Sequence, residues 1–479
     1  MTEPWPTQPG QQPPLPPGGA PPLRGQPAPV APTATSWSGG DAPLPPPTPP
    51  RWDRGRILLV VAAVVVVALV SSLVTFWLTA DDGGDEAATA SSTTATTEPG
   101  DPAPSTTGPG AAPSTTAPPS SLTEEELLAE VAELSAFVES QRGGTFAEPV
   151  AVELLDDAEF EERLLATIDE DIADIETQGK ILSALGLIEP EVDILAATEK
   201  ILGQGVLGFY ETEDDELVVR GTDLTPYTRQ TIVHELVHAY DDQAFELFRP
   251  EYDERDDEIG QGFSSILEGN ARRVEEAWVD TLSPAERDER NREEALYGLN
   301  ADLEGVPLVL LELLVSPYED GLVLVQELAD LGGEPLIDQA IETPPTSTEQ
   351  VLLPEKYLVL EDPLPVEVPE ADGEVIDQGT FGMLLWQILL EDVVTPSQAF
   401  RAAEGWGGDR YVAWDSEDGA CVRIDVEMDT AADASDLVTA LEQYTFEHDN
   451  VTVTERGATG ARVDACTPPP EGGGGGSQL

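Results

Sequence analysis

TPYTRQTIVHELVHAYDDQAF (residues 225–245) is the stretch that decides the fold. Thr225 can cap a helix, and Pro226 suits the first helical turn. The apolar residues that follow recur at helical spacing, and His234 and His238, four residues apart, share one face of the same helix. The stretch therefore predicts a helix that presents two imidazoles side by side.

The motif His-Glu-x-x-His in this helix indicates a metal site. Neutral imidazole is a good ligand for Zn²⁺, and a catalytic zinc site has three protein ligands with a fourth position for water. Glu235 would lie beside that water as the general base. The alternative is an ordinary helix whose histidines satisfy local hydrogen bonds. Only three histidines occur in the chain, and the third, His448, lies far from the motif. With so few histidines this pattern rarely arises by chance. We therefore expect His234 and His238 to bind zinc.

The third ligand must come from another part of the chain. One class of zinc peptidases continues the motif with a glycine and a third histidine, but Asp241 and Ala244 occupy those positions here, which excludes that class. Glu268, in the predicted helix FSSILEGNARRVEEAWV (263–279), is the favoured ligand. An acid that faces inward from an apolar helix is costly unless it is paired or binds a metal. The competing carboxylates are those of Asp256, Asp257, Glu275 and Glu276.

A residue behind the ligands can also be predicted. A histidine that binds zinc generally donates its other N–H to a carboxylate or carbonyl, which fixes its tautomer. Asp242 lies one helical turn after His238 and is the nearest candidate in the sequence. The alternative is that Asp242 faces solvent.

The charge of the chain is strongly acidic and unevenly distributed. The formal net charge is −70, of which residues 1–56 contribute +1 and residues 57–80 contribute none, so the remainder carries −71. Such a surface repels nucleic acid and keeps a domain soluble. We therefore expect no nucleic-acid partner, and the charge alone indicates no specific cationic partner.

The uncharged run ILLVVAAVVVVALVSSLVTFWLTA (57–80) is long enough to cross a hydrocarbon core of about 30 Å as a helix. Arginines precede it and aspartates follow it, which places its N-terminal side in the cytoplasm. We therefore predict a disordered Pro-rich cytoplasmic tail (1–56), a single transmembrane helix (57–80) and a Ser/Thr/Pro-rich linker (81–121). The rest of the chain would lie outside the membrane.

The extracytoplasmic part is predicted to contain a catalytic domain (122–395), a small C-terminal α+β segment (396–470) and a disordered tail (471–479). VLGFYE (206–211) and ELVVRG (216–221) predict a β-hairpin directly before the motif helix, and an exposed edge strand can pair with an extended peptide. PPTSTEQVLLPEKY (344–357) predicts a structured loop, which either lines the site or only connects helices.

The C-terminal segment predicts two strands, a helix and two more strands. Cys421 and Cys466, the two cysteines of the chain, lie in this segment. Outside the cytoplasm we expect them to form a disulfide, and the alternative is two unpaired thiols.

In the motif helix and the helix that contains Glu268, the chain resembles the gluzincin, or thermolysin-like, zinc peptidases. HELVHAYDD is similar to their motif helix, and LEGNA is similar to the helix that carries their glutamate ligand. Over most of residues 122–415 the chain is also similar to uncharacterised bacterial membrane-anchored proteins of metallopeptidase type, through the blocks GFY, HELVHAYDDQ, EGNA, STEQVLLPEKY and GWGGDRY.

The resemblance implies that His234, His238 and Glu268 bind zinc and that Glu235 is the base. It also implies a group that stabilises a negatively charged oxygen during the reaction. The candidates for this group are Tyr210, Tyr357, Arg410 and His448.

We therefore expect an α+β protein with a mostly helical, zincin-like catalytic domain, a small β-sheet with an edge hairpin, and a small C-terminal α+β unit. The expected function is that of a single-pass, membrane-anchored, extracytoplasmic zinc metallopeptidase that acts on peptides or proteins. The alternatives are a cell-surface binding protein with a structural or inactive zinc site, and a zinc hydrolase of a non-peptide bond in the cell envelope. The sequence indicates no oligomeric state.

Overall fold

The computed structural model describes residues 122–168, 171–212, 215–249, 252, 257–417 and 419–469. The predicted tails (1–56 and 471–479), membrane helix (57–80) and linker (81–121) lie outside these residues. Within the described ranges, no helix is both long and apolar enough to cross a membrane.

The first half of the described chain is built from helices and one small sheet. Its elements, in order, are α1 (Glu124–Arg142), β1 (Ala151–Leu155), α2 (Asp157–Ala166), α3 (Ile172–Leu185), α4 (Ile194–Gly205), β2 (Gly208–Glu211), β3 (Glu216–Arg220), α5 (Pro226–Phe245) and α6 (Asp257–Val279). The motif helix is α5, and Glu268 lies on α6.

The second half begins with helices and ends in a larger sheet. Its elements are α7 (Pro284–Asn300), α8 (Leu308–Gly332), α9 (Glu334–Glu342), α10 (Thr348–Leu352), α11 (Pro354–Leu358), β4 (Val375–Gly379), α12 (Gly382–Glu391), α13 (Pro396–Ala403), β5 (Trp406–Ser416), β6 (Gly419–Met428), α14 (Ala431–Glu447), β7 (Val451–Arg456) and β8 (Gly460–Cys466).

Local sequence accounts for the first helix and the first sheet. Thr123 and Glu126 form a reciprocal capping box at the start of α1, and Gly143 ends the helix with a left-handed φ of 75°. The sheet has the order β1-β3-β2, in which β1 is parallel and β2 antiparallel to β3. The predicted hairpin is therefore confirmed, and β2 is an edge strand of this sheet.

The C-terminal sheet has the order β4-β5-β6-β8-β7, and each neighbouring pair is antiparallel. The predicted succession of two strands, a helix and two strands is confirmed. Cys421 of β6 lies opposite Cys466 of β8, and the two form the expected disulfide. Side chains of α3, α12, α13 and α14 pack in one apolar core with this sheet. The sheet is thus joined to the helical body by a continuous core.

Residues 344–357 form more regular structure than the predicted loop. Ser347 caps α10 by accepting a hydrogen bond from the Gln350 N–H at 3.3 Å. Glu258 of α6 also accepts from the Thr348 N–H at 2.7 Å. Pro354 then opens α11, since proline suits a first helical turn. The first of these two short helices is thus capped from within the segment and from α6, and the second begins at a proline.

Of the described residues, 58% are helical and 16% are in strands, and the strands form two small sheets. The predicted α+β class with a mostly helical body is therefore confirmed. The zincin-like character of the body and the boundary between residues 395 and 396 stay predictions.

Candidate metal site

The helix that carries the motif, α5, is buried along most of its length. Thr225 caps its first turn by accepting a hydrogen bond from the Thr228 N–H at 3.1 Å, as predicted. Its apolar side chains pack against the three-stranded sheet and α6. This packing fixes the rotation of the helix about its axis. As a result, His234 and His238 both contact Glu268 of α6. The centroids of the two histidine rings are 4.9 Å apart.

Glu268 of α6 meets both histidines. Its Oε2 atom lies 3.1 Å from Nε2 of His234 and 3.4 Å from Nε2 of His238. Ligand atoms of the three side chains all lie within 4.8 Å of one another. Each of the three residues is at most 1% exposed. The structure therefore brings together the three residues that the sequence predicts as zinc ligands.

The donor set and its unsatisfied polar atoms fit a zinc ion. Two imidazoles and one carboxylate are a usual ligand set of catalytic zinc. Both ring nitrogens of His238 and both carboxylate oxygens of Glu235 are buried, and none has a hydrogen-bond partner within the described part of the chain. An unpaired buried polar group costs about 1–3 kcal/mol. A cation held at this point would satisfy Nε2 of His238, and its bound water would offer a partner to Glu235.

The carboxylates around His234 control its charge. Burial, the largest single cause, lowers the pKa of His234, but hydrogen bonds to Glu268 and Glu275 and the negative charges of Glu235 and Glu268 together raise it to about 10. Burial raises the pKa of Glu268, but His238 and His234 bring it below its ordinary value. The cluster thus holds a proton on His234, which a metal ion would displace because imidazole must be neutral to bind it.

Glu235 lies beside these residues, against the edge strand β2. Burial raises the pKa of its carboxyl group well above the ordinary value, although His234 lowers it. Gly208 opens β2, and a Cβ atom at this position would lie 3.0 Å from Cγ and 3.1 Å from Oε1 of Glu235. The absence of a side chain at Gly208 therefore lets the edge strand run directly past the predicted base.

Asp242 contacts other residues than the predicted ones. Its carboxylate accepts hydrogen bonds from the Tyr210 hydroxyl at 3.0 Å and the Leu247 N–H at 2.8 Å. Nδ1 of His238 has no hydrogen-bond partner among the residues that the structure covers. The structure thus corrects the role predicted for Asp242: the rotation of α5 turns this side chain toward β2 and away from the ligand histidines.

Glu275 makes with His234 the kind of hydrogen bond, between a carboxylate and the second ring nitrogen, that was expected of Asp242. Its Oε2 lies 2.9 Å from Nδ1 of His234, and its other oxygen accepts hydrogen bonds from Arg272, at 2.8 Å, and from Gln230. The sequence makes Glu275 a competing ligand, whereas the structure places it behind His234. Its position seven residues after Glu268, two turns along the same helical face, is the signal that could have indicated this role.

Replacing Glu275 by Gln is expected to weaken zinc binding by about 10–100-fold. The amide has nearly the same size, but it lacks the charge that orients His234 and makes it a better ligand. Glu276→Gln is the matched control, because Glu276 also pairs with Arg272, at 3.3 Å, yet its side chain is 53% exposed. Chelator competition on the purified full chain measures both affinities, and equal values for the two variants would contradict this role of Glu275.

The four candidates for stabilising a negatively charged oxygen are engaged elsewhere. Their partners are Asp242 and Asp215 for Tyr210, the Thr343 carbonyl for Tyr357, Thr380 for Arg410, and Asp392 for His448. The aromatic residue that the structure places at the site is Tyr318 of α8, whose ring stacks on His234 at a centroid distance of 5.9 Å. Sequence reasoning missed Tyr318 because it lies within an apolar helical segment.

Comparison with known proteins adds one partial match. Residues 370–468 match the model of a family described as a domain of unknown function (DUF8575). This range contains the C-terminal sheet and α12 to α14, and it excludes α5 and α6. No curated protein and no solved structure matches the chain. The match therefore assigns no activity to the cluster around His234.

Proposed function

We propose that the protein is a zinc metallopeptidase that hydrolyses peptide bonds outside a membrane, to which residues 57–80 anchor it. One observation carries this proposal: His234, His238 and Glu268 offer ligand atoms within 4.8 Å of one another, and the Glu235 carboxyl group interacts electrostatically with His234 and Glu268. A structural metal site needs ligands but no base. The presence of Glu235 therefore favours a catalytic site.

Each group of the cluster has a part in hydrolysis. A zinc ion bound by the two histidines and Glu268 would polarise the scissile carbonyl and lower the pKa of water. Glu275 keeps His234 in the tautomer whose Nε2 can bind a metal. Glu235 takes a proton from the attacking water and delivers it to the leaving amine. The edge strand β2 passes Glu235, but three of its four residues are buried, so an extended peptide could pair with it only after a neighbouring element moves.

The burial of the cluster favours a second candidate, a cell-surface binding protein with a structural or inactive zinc site. Both oxygens of Glu235 are buried, and His234, His238 and Glu268 are at most 1% exposed. A substrate would reach Glu235 only after a neighbouring element moves. A structural site needs no such movement.

The decisive experiment compares the purified full chain with its Glu235→Gln variant. Both are expected to bind zinc, because Glu235 is not a ligand. Only the wild type should cleave members of a peptide library followed by mass spectrometry, and the variant should lose about 10²–10⁴-fold in rate. Glu276→Gln is again the control. Zinc without peptide cleavage by the wild type would contradict the proposal and favour the second candidate or a non-peptide envelope substrate.

A further inference from the structure

Helices α6 and α8 pack so closely next to Glu268, a predicted ligand, that there is no room for a side chain at their point of contact. A Cβ atom on Gly269 would lie 2.2 Å from the backbone C and O atoms of Gly321. A Cβ atom on Gly321 would lie 2.1 Å from the carbonyl oxygen of Ser265. Because both positions lack side chains, the two backbones are in direct contact, and the turn of α8 before Gly321 lies over the metal site.

Tyr318 occupies that turn. It lies three residues before Gly321, so the two residues share one face of α8. Its side chain is only 3% exposed. Its ring stacks on the His234 imidazole with an interplanar angle of 20°. Tyr318 is therefore fixed against one of the predicted ligands by the packing of α8 on α6.

The hydroxyl of Tyr318 lies beside the second predicted ligand. Burial raises the pKa of Tyr318 well above its ordinary value, and the nearby carboxylates of Glu268 and Glu235 raise it further. The hydroxyl of this side chain can donate one hydrogen bond. The carboxylates of Glu268 and Glu235 act on it, and an ionised carboxylate can only accept a hydrogen bond.

The two oxygens of Glu268 face different surroundings. Oε2 lies within 3.1 Å and 3.4 Å of the two histidine Nε2 atoms, as a metal-binding oxygen should. Oε1 is buried, and no hydrogen bond of standard geometry reaches it within the described ranges. A carboxylate that binds a metal through one oxygen is usually held by a hydrogen bond at the other. Oε1 therefore needs a donor.

We propose that Tyr318 is a positioning residue of the metal site, whose hydroxyl donates to Oε1 of Glu268 while its ring holds the plane of the His234 imidazole. Tyr318 then holds Glu268 from behind. Tyr318 and Glu275 together hold His234. This inference rests on the metal site of the proposed function, but it does not depend on which bond the protein cleaves.

Tyr318→Phe tests this role, because the variant keeps the ring and removes only the hydroxyl. Zinc affinity, measured by chelator competition, is expected to fall by about 10–100-fold. With Co²⁺ in place of zinc, the visible absorption spectrum should shift, because the carboxylate ligand changes its orientation. Thermal unfolding of the chelator-treated chain shows that the variant is folded.

Tyr444→Phe is the matched control. Tyr444 is also fully buried, and its hydroxyl donates to the Leu185 carbonyl at 2.7 Å, in the core of the C-terminal sheet. This variant loses one buried hydrogen bond but should bind zinc and Co²⁺ as the wild type does.

Unchanged zinc affinity and an unchanged Co²⁺ spectrum in Tyr318→Phe would overturn the inference. So would an equal loss of affinity in Tyr444→Phe, since that would indicate a general effect on stability. If the wild type binds zinc but cleaves no peptide, the proposed function fails while the comparison of the two variants still decides the role of Tyr318. If the wild type binds neither metal, both fail.

Discussion

Glu268→Gln is expected to deprive the chain of nearly all bound zinc. Oε2 of Glu268 is the atom that meets Nε2 of both histidines, at 3.1 Å and 3.4 Å. An amide of the same size is a weak ligand and brings no negative charge to balance the cation. Residues that only support a ligand change metal affinity by about 10–100-fold, so the loss of a ligand itself should exceed that range. Metal analysis of the purified full chain measures the effect.

Asp242→Asn is the control for this loss. The sequence predicts that Asp242 supports a ligand, whereas in the structure it accepts hydrogen bonds from the Tyr210 hydroxyl and the Leu247 N–H. The side-chain oxygen of asparagine can still accept the hydrogen bond from Leu247. This variant should retain zinc. Stoichiometric zinc in Glu268→Gln would refute Glu268 as a ligand, and loss of zinc in Asp242→Asn would restore the role first predicted for that residue.

The parts of the site that the sequence predicts correctly depend on local rules. Helical spacing alone places His234 and His238 on one face, and Thr225 caps the helix as a local signal predicts. Glu268 could be selected because it is an acid among the inward-facing apolar residues of its own helix. The structure shows that the side chains meet. Their binding of zinc stays a prediction.

The errors concern contacts between helices. Asp242 and Glu275 are both plausible partners of a histidine in sequence, and only the crossing of α5 and α6 decides that Glu275 reaches His234. Tyr318 lies 50 residues after Glu268, and the contact between Gly269 and Gly321 brings it to the site. Local signals such as residue spacing and helix capping carry no information about the angle at which two helices cross.

Local rules also do not predict which strands pair when they are far apart in the sequence. β4 joins the C-terminal sheet by pairing with β5, more than thirty residues later in the chain. VIDQG shows no clear alternation of apolar and polar residues that would predict a strand. All five of its residues are at least partly exposed at the edge of the sheet, so neither face has to be apolar. The strands of the β5–β6 hairpin were predictable because they are longer, more apolar and joined by a short turn.

Arg142→Met is expected to destabilise the fold by about 3–5 kcal/mol, because it leaves a buried charge without its partner. The guanidinium of Arg142, at the end of α1, bonds to Oδ1 of Asp241 at 2.8 Å and 3.0 Å, and both side chains are fully buried. Burial lowers the pKa of Arg142, but Asp241, Glu334 and Asp338 raise it well above the ordinary value, so the residue stays charged. Denaturant unfolding of the chelator-treated full chain measures the loss.

Two further variants identify the buried charge as the cause. Arg142→Met combined with Asp241→Asn should regain about 1–4 kcal/mol, because no unpaired charge then remains in the core. Arg287→Met is the matched control: its pair with Asp280 spans 3.4 Å and is 41% and 82% exposed, so its loss should cost less than about 1 kcal/mol. If the double variant is as unstable as Arg142→Met, then packing of the arginine side chain, and not its charge, holds α1 against α5.

Asp241 also accepts a hydrogen bond from Asn270 at 2.7 Å, so this one side chain connects α5 with both α1 and α6. Asp241 follows His238 by three residues, and Asn270 follows Glu268 by two. Loss of Arg142 should therefore also weaken zinc binding in the folded chain, and the double variant, which keeps an acceptor for Asn270, should restore part of it. An Arg142→Met chain that is destabilised yet binds zinc with wild-type affinity would mean that α1 stabilises the fold without positioning the metal ligands.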